Sequence, residues 1–181
     1  MSWLIGAIGA LFVAGAAYWK QSLTGSGALA AILMGTIYFG AGDLLWSGVL
    51  LVFFITSSLL SKYKKTAKEE LEKAYAKTGN RDAGQVLANG GIGMLLCLAY
   101  MFWSHMALVY VYIGVMATVT ADTWATEIGS LSRSAPRSIL TGKKMTAGTS
   151  GAVSLLGTLA AAGGGALIGA AAWLLGGPQI W

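Results

Sequence analysis

The sequence predicts an all-α fold: a polytopic transmembrane helix bundle of about six spans, with two long loops on one side. Three observations predict it. Of 181 residues, 56% are hydrophobic and only 10% charged, where a soluble domain carries about 25% charged residues. Apolar runs recur at about 2–19, 27–41, 44–60, 86–103, 106–124 and 152–175, most of them close to the roughly 20 residues needed to cross a bilayer. The polar stretches 61–85 and 125–151 hold every Lys and Arg except Lys20. A disordered chain is excluded as well, because such chains are rich in charge and poor in apolar residues. Residues 1–181 therefore read as one integral membrane domain.

The first run carries Ala14-Gly15-Ala16, which resembles a cleavage site. No positive region precedes it and its charge, Lys20, lies at the far end, so it reads as a retained first span. The second run is short for a full span, which suggests a tilted, broken or protein-buried helix. The third leads into residues 61–77, good helix formers with Glu69 and Lys73 at i, i+4. That segment reads as a solvated or interfacial extension of span three, its lysines drawn to anionic lipid. Cys97 is the single cysteine and lies within span four, so no intrachain disulfide can form. His105, the only histidine, falls in the turn before span five, which rules out a catalytic triad or His-based zinc site within one chain. Span six places Ala161, Gly165 and Gly169 at four-residue spacing, a small-residue stripe suited to close helix packing. Trp3, Tyr18, Trp19, Trp46, Trp103, Trp173 and Trp181 stand near span ends, as interfacial anchors do.

The net charge is +5, and its placement matters more than its size. In a six-span chain both polar stretches and Lys20 fall on one side. The positive-inside rule makes that side cytoplasmic and puts the N-terminus outside. The opposite connections, around Asp43 and His105, carry no Lys or Arg. The expected location is the cytoplasmic membrane of a prokaryote. Membrane lipids are expected partners, nucleic acid is not, and a homo-oligomer is compatible with the pattern.

Four groups of residues carry candidate chemistry. Asp122 and Glu127 stand at the end of span five, and carboxylates at membrane depth usually face a cavity or a partner. Five residues on a straight helix turn them about 140° apart. They converge only if the helix ends or unwinds near Gly129, or if a second segment completes the site. With Thr123 and Thr126 they would suit Mg²⁺ bridging substrate phosphates; the plainer alternative is pairing with Arg133 or Arg137. Lys143 and Lys144 precede Gly148-Thr149-Ser150-Gly151, read as opening helix six. Free amides there, at the positive end of a helix dipole, would cradle phosphate; the alternative is an ordinary Ser/Thr cap. The lysines come before the glycines, so this is no Walker A loop. Asp82, Gln85 and Asn89 fall at i, i+3, i+7 on one helical stripe, facing a substrate or gluing helices together. Ser26-Gly27-Ala28-Leu29 and Ser150-Gly151-Ala152-Val153 form a weak echo, each opening a helix.

Four segments then resemble one family: Ser22–Ala31, Arg81–Gly91, Ala121–Gly129 and Gly148–Ser154. It is the integral membrane family, mostly of unknown function, that includes the plant phytyl-phosphate kinase of vitamin E synthesis. The specific pieces are Asp-Thr-x-Ala-x-Glu-Ile-Gly and Gly-Thr-x-Gly-x-Val-Ser. The resemblance implies a kinase that converts a prenyl monophosphate to the diphosphate, with CTP or a related nucleoside triphosphate and Mg²⁺. It implies Asp122 and Glu127 as metal- or nucleotide-site acids, Gly148, Thr149, Ser150 and Gly151 as the phosphate loop, and Arg81, Asp82, Gln85 and Asn89 as a second wall. Family members continue beyond span six with a further acidic segment. This chain, ending Gly176–Trp181, is expected to be a compact relative or to lack that part. The rival expectations are a transporter or binding protein for a phosphorylated lipid or small molecule, and a non-catalytic scaffold.

Overall fold

A computed structural model describes residues 1–63, 80–147 and 149–176. Among them are six helices: α1 (Ser2–Trp19), α2 (Gly25–Ala41), α3 (Leu44–Lys62), α4 (Ala83–Phe102), α5 (Met106–Gly129) and α6 (Leu155–Gly176). The all-α bundle is borne out. Five helices are long and apolar enough to cross a membrane, and α2 is a shorter apolar helix of 17 residues. α2 is unbroken, but at 1.5 Å per residue it spans only about 25 Å, short of the roughly 30 Å hydrocarbon core.

Local polar chemistry fixes where α2 to α6 start. Thr24 Oγ1 accepts from the Gly27 amide, Asp43 Oδ1 from Leu45 N, and His105 Nδ1 from Ala107 N. Asp82 and Gln85 form a reciprocal capping box at the start of α4. Ser154 Oγ accepts from Gly157 N, inside the first turn of α6. Two boundaries differ from the hydropathy pattern. α5 continues five residues past Trp124 to Gly129, so Glu127 lies on a helix and not in a loop. α6 begins at Leu155, so Ser150-Gly151-Ala152-Val153 does not open it. The echo with Ser26–Leu29 therefore fails, because the hydroxyl-glycine run before α6 folds as a ribbon instead. The expected extension of span three stops, within the described residues, at Lys62 with Tyr63 as C-cap, and residues 64–77 lie outside them.

α1 leans chiefly on α2, α2 on α4, α4 on α5, and α5 on α6, while α3 packs against α5 and α6. The core is aromatic. Trp46 stacks on Tyr112 with centroids 4.4 Å apart, and the Tyr112 hydroxyl donates to Trp46 O at 2.6 Å. The Tyr38 hydroxyl donates to Gly90 O at 2.8 Å, tying α2 to α4. Trp46 is thus a core residue and not an interfacial anchor, although Trp19, Trp103 and Trp173 are exposed. The small-residue stripe on α6 also lies in a different register. Gly157 and Gly164 approach the Ala125 and Thr120 carbonyls of α5, so that a Cβ would lie 3.1–3.2 Å from them. A Cβ at Gly165 or Gly169 would meet open space. One residue along a helix turns a side chain about 100°, and the run Gly163-Gly164-Gly165 holds glycine at every candidate register.

The contacts gather the ends of the spans as the charge pattern requires. Lys62 Nζ donates to Lys20 O, and residue 81 pairs with residues 22–24. These, with Glu127 and the 130–154 segment, define a basic face. In that segment β1 (Arg137–Ser138) pairs antiparallel with β2 (Ala152–Val153). Gly142 and Gly151 take the left-handed conformation, φ +68° and +78°, where a Cβ would be strained.

Candidate functional site

Arg81 is the hub of the basic face. Its backbone is clamped to the α1–α2 turn as a short parallel bridge: Thr24 N donates to Arg81 O, and Arg81 N donates to Ser22 O, each at 3.0 Å. The clamp turns the side chain toward α3. There Nη1 donates to Ser58 Oγ at 2.7 Å and Nη2 to Ser61 Oγ at 3.4 Å, with the guanidinium carbon 5.8 Å from the centre of the Phe54 ring. Ser61 Oγ lies 2.5 Å from Glu127 Oε1 and 3.0 Å from the Ser57 carbonyl. A hydroxyl has one proton, and the carboxylate is the stronger acceptor. Ser61 therefore donates to Glu127 and accepts from Arg81, joining a cation and an anion through one hydroxyl. Burial pushes the Arg81 guanidinium down from its ordinary value, and the Glu127 charge acts against that shift. Among the described residues the serines engage two of the five guanidinium N–H donors.

An apolar cavity of about 280 Å³ opens beside Arg81, between α1 and α2 on one side and α3 and α4 on the other. Arg81 and Phe54 lie at its basic end, and Ile5 and Leu44 at the other. Asn89 lines it from α4, and among the described residues its side chain makes no hydrogen bond. The cavity exists because α3 packs toward α5 and α6 while α1 packs on α2.

The other predicted residues are distributed as follows. Asp82 and Gln85 serve the capping box, Asp82 Oδ1 accepting from Gln85 N at 2.9 Å and Gln85 Oε1 from Asp82 N at 3.1 Å. The stripe with Asn89 is thus split: the first two members hold the start of α4 and the third faces the cavity. Asp122 is exposed, on the same strip of α5 as Thr118 and Thr126. α5 is continuous through Gly129, so the unwinding that would bring Asp122 toward Glu127 does not occur. These two acids do not fit a resident ion held between them. Glu127 offers one carboxylate, already bonded to Ser61, and the described residues contain no group of three metal-ligating side chains. Neither is there an ion pair to Arg133 or Arg137 among the described residues; the Arg137 guanidinium donates instead to Gly142 O at 3.0 Å.

Thr149, Ser150 and Gly151 lie in an exposed turn four or more residues ahead of α6, with the Ala152 amide bonded to Thr149 O. They are therefore not at the positive end of the helix dipole, which Ser154 caps. Gly148 lies outside the described residues. Lys143 and Lys144 are exposed on the same ribbon, Lys144 bridging to Arg137 through the backbone. Ser58 and Ser61 were not among the predicted residues. Their signal is a run of hydroxyls, Ser57-Ser58 and Ser61, closing an apolar span just before its lysines.

A bundle of apolar helices whose ends gather at one charged face defines an integral membrane protein. The sequence profile described as Integral membrane protein DUF92 matches residues 8–181, and the chain belongs to that family. It is 36% identical over 166 residues to Protein PGR of Arabidopsis thaliana, covering 84% of this chain and 57% of the relative. It is 36% identical over 159 residues to Uncharacterized membrane protein MJ0933 of Methanocaldococcus jannaschii, covering 86% and 64%. With Protein VTE6, chloroplastic, of Arabidopsis thaliana it shares 29% identity over 160 residues, covering 83% and 46%. The chain thus spans about half to two-thirds of the length of these relatives. No solved structure matches it.

Proposed function

We propose that this chain binds an isoprenyl monophosphate at its basic face and passes it a phosphoryl group from CTP or another nucleoside triphosphate, giving the diphosphate. The observation that carries the reading is Arg81, a guanidinium held by Ser58 and Ser61 at the mouth of an apolar cavity. An apolar tail and an anionic head are the two parts of a molecule such a site matches. The family resemblance to phytyl-phosphate kinase supplies the reaction.

In that reaction an anionic oxygen of the prenyl monophosphate attacks the γ-phosphorus. The bond from that phosphorus to the nucleoside diphosphate breaks, and the nucleoside diphosphate leaves with the electron pair. No base is required, because the attacking oxygen carries no proton to remove. Catalysis of this kind is positioning and charge neutralisation. Arg81 binds the acceptor phosphate, and Ser61 and Glu127 fix the guanidinium. Lys143, Lys144 and the Thr149–Gly151 turn meet the nucleotide, and the exposed Asp122 is the acid available to the Mg²⁺ that it carries. The metal enters with the nucleotide as part of the co-substrate.

A second reading, a binding or transport protein for a phosphorylated lipid, is favoured by the separation of Asp122 from Glu127. The test is transfer of labelled phosphate from CTP to farnesyl, geranylgeranyl and phytyl monophosphates by protein in nanodiscs supplied with Mg²⁺. Wild type is expected to transfer. Arg81→Met is expected to lose about 10- to 100-fold in acceptor affinity, since a hydrogen bond to a charged group contributes roughly 1.5–3 kcal/mol. Binding without transfer would favour the second reading; neither would refute both.

A further inference from the structure

We infer that the cavity between α1/α2 and α3/α4 is a tail groove that admits one isoprenoid or similar single apolar chain, with its phosphate at Arg81. This rests on the function proposed above and assigns the part of the site that holds the chain.

Three features of the cavity carry it. The first is polarity along its length. Apart from Ser47 and Asn89 the lining is apolar from Ile5 and Leu44 at one end to Phe54 at the other, and its one charged side chain, Arg81, stands at the basic end. A tail with an anionic head can enter in one orientation. The second is size. From Leu44 to Phe54 the α3 lining covers ten residues, about 15 Å at 1.5 Å per residue. A volume of about 280 Å³ accommodates an apolar chain over that length. With C–C bonds of about 1.5 Å, an extended chain advances about 1.25 Å per bond, so the groove takes roughly twelve main-chain carbons. Longer tails must leave it and run on into lipid. The third is the lack of side chain at Gly9. Gly9 lines the groove, and a Cβ built there meets nothing within 4 Å. Residue 9 is exposed, so a larger side chain there fits at the edge of the groove without displacing a helix. Gly35, also on the lining, is different: a Cβ there would lie 2.9 Å from Ala10, so it is needed for α1–α2 contact.

This contrast supplies a variant that fills the groove without straining the helices. Gly9→Leu adds a side chain at a lining position with open space around it, whereas Gly15→Leu, on the same helix with equally open space, is off the lining. The probes are farnesyl and geranylgeranyl monophosphates carrying a diazirine near the head or at the tail tip. They are bound to the protein in nanodiscs, photolysed, and mapped by mass spectrometry. Head-proximal labels are expected on Leu23 and Phe54, and farnesyl tip labels on Ile5, Leu44 and their neighbours. Gly9→Leu is expected to reduce tip labelling about tenfold while head labelling changes less than threefold; Gly15→Leu should match wild type.

Tip labels on the lipid-facing sides of α5 and α6, or a label pattern that Gly9→Leu leaves unchanged, would overturn the groove. So would labelling blocked by a second copy of the chain crosslinked into it. Equal competition by phosphatidic acid would overturn the single-chain assignment in favour of a two-chain phospholipid. Phosphate transfer measured on the same samples separates the two claims. Groove labelling without transfer removes the kinase and leaves the groove; transfer without groove labelling does the reverse.

Discussion

The clamp between residue 81 and the α1–α2 turn leaves no room for a side chain at Gly27. A Cβ there would lie 2.1 Å from Arg81 O, against the 3.4 Å at which ordinary contact begins. Gly27→Ala must therefore move the start of α2 from residue 81 by about 1.3 Å, since the atom it meets is backbone and cannot rotate away. The two bonds that join the segments, Thr24 N to Arg81 O and Arg81 N to Ser22 O, are each 3.0 Å long. That displacement carries them past hydrogen-bonding distance. Two backbone hydrogen bonds contribute about 1 kcal/mol each, and more where a polar group is left buried without a partner. Alanine returns up to about 1 kcal/mol of helix propensity. The expected net loss is about 1–3 kcal/mol, a fall in Tm of roughly 3–10 °C for a chain of this size. Gly25→Ala, two residues away, meets nothing within 4 Å and should unfold at or slightly above the wild-type temperature. Thermal unfolding in one detergent measures both, and acceptor affinity should fall only in Gly27→Ala. If the two variants unfold together and bind alike, the clamp does not hold Arg81 and the account of the site fails.

Two further outcomes follow from named contacts. Gly164→Ala places a Cβ 3.2 Å from Thr120 O and from the Trp124 ring, so the α5–α6 pair must part by a few tenths of an ångström, whereas Gly165→Ala enters open space. Unfolding should come earlier for the first, by about 1–2 kcal/mol, and be unchanged or later for the second; the opposite order would contradict the register. Acceptor binding should strengthen from pH 5 to about 7, as the phosphate loses its second proton near pH 6. It should then stay level to pH 9, because Arg81, although pushed down by burial, remains protonated there. Arg81→Lys should instead weaken binding at the alkaline end, since a lysine starts about two pH units lower and burial moves it readily. Titration across that range checks both, and a wild-type loss below pH 9 would remove Arg81 from the head-group site.

The residues legible in the sequence were those whose role follows from their own segment. Asp43 and His105 stood at polar breaks and cap helices there. Glu127 was marked by its position near the end of a span, and Arg81 by the segment it opens. Their partners were not legible. Ser58 and Ser61 are ordinary hydroxyls until α3 is set beside residue 81, and Trp46 reads as an anchor until Tyr112 is found stacked on it. The expected start of helix six at Ser150 missed by a few residues: Ala152 and Val153 pair with Ser138 and Arg137, and that ribbon delays α6 to Leu155.

The scarcity and placement of charge alone determined that this chain is a bundle of membrane helices with one basic face. Backbone polar groups in lipid must be satisfied within a helix, and Lys and Arg cannot stay in the hydrocarbon, so apolar runs and their charged breaks leave little choice. Tertiary structure decided which way each helix turns. Helical rotation is set by contacts between segments distant in the chain, and glycine- and alanine-rich faces fit several registers nearly equally. That choice turned α3 chiefly toward α5 and α6, and so made the cavity with Arg81 at its mouth.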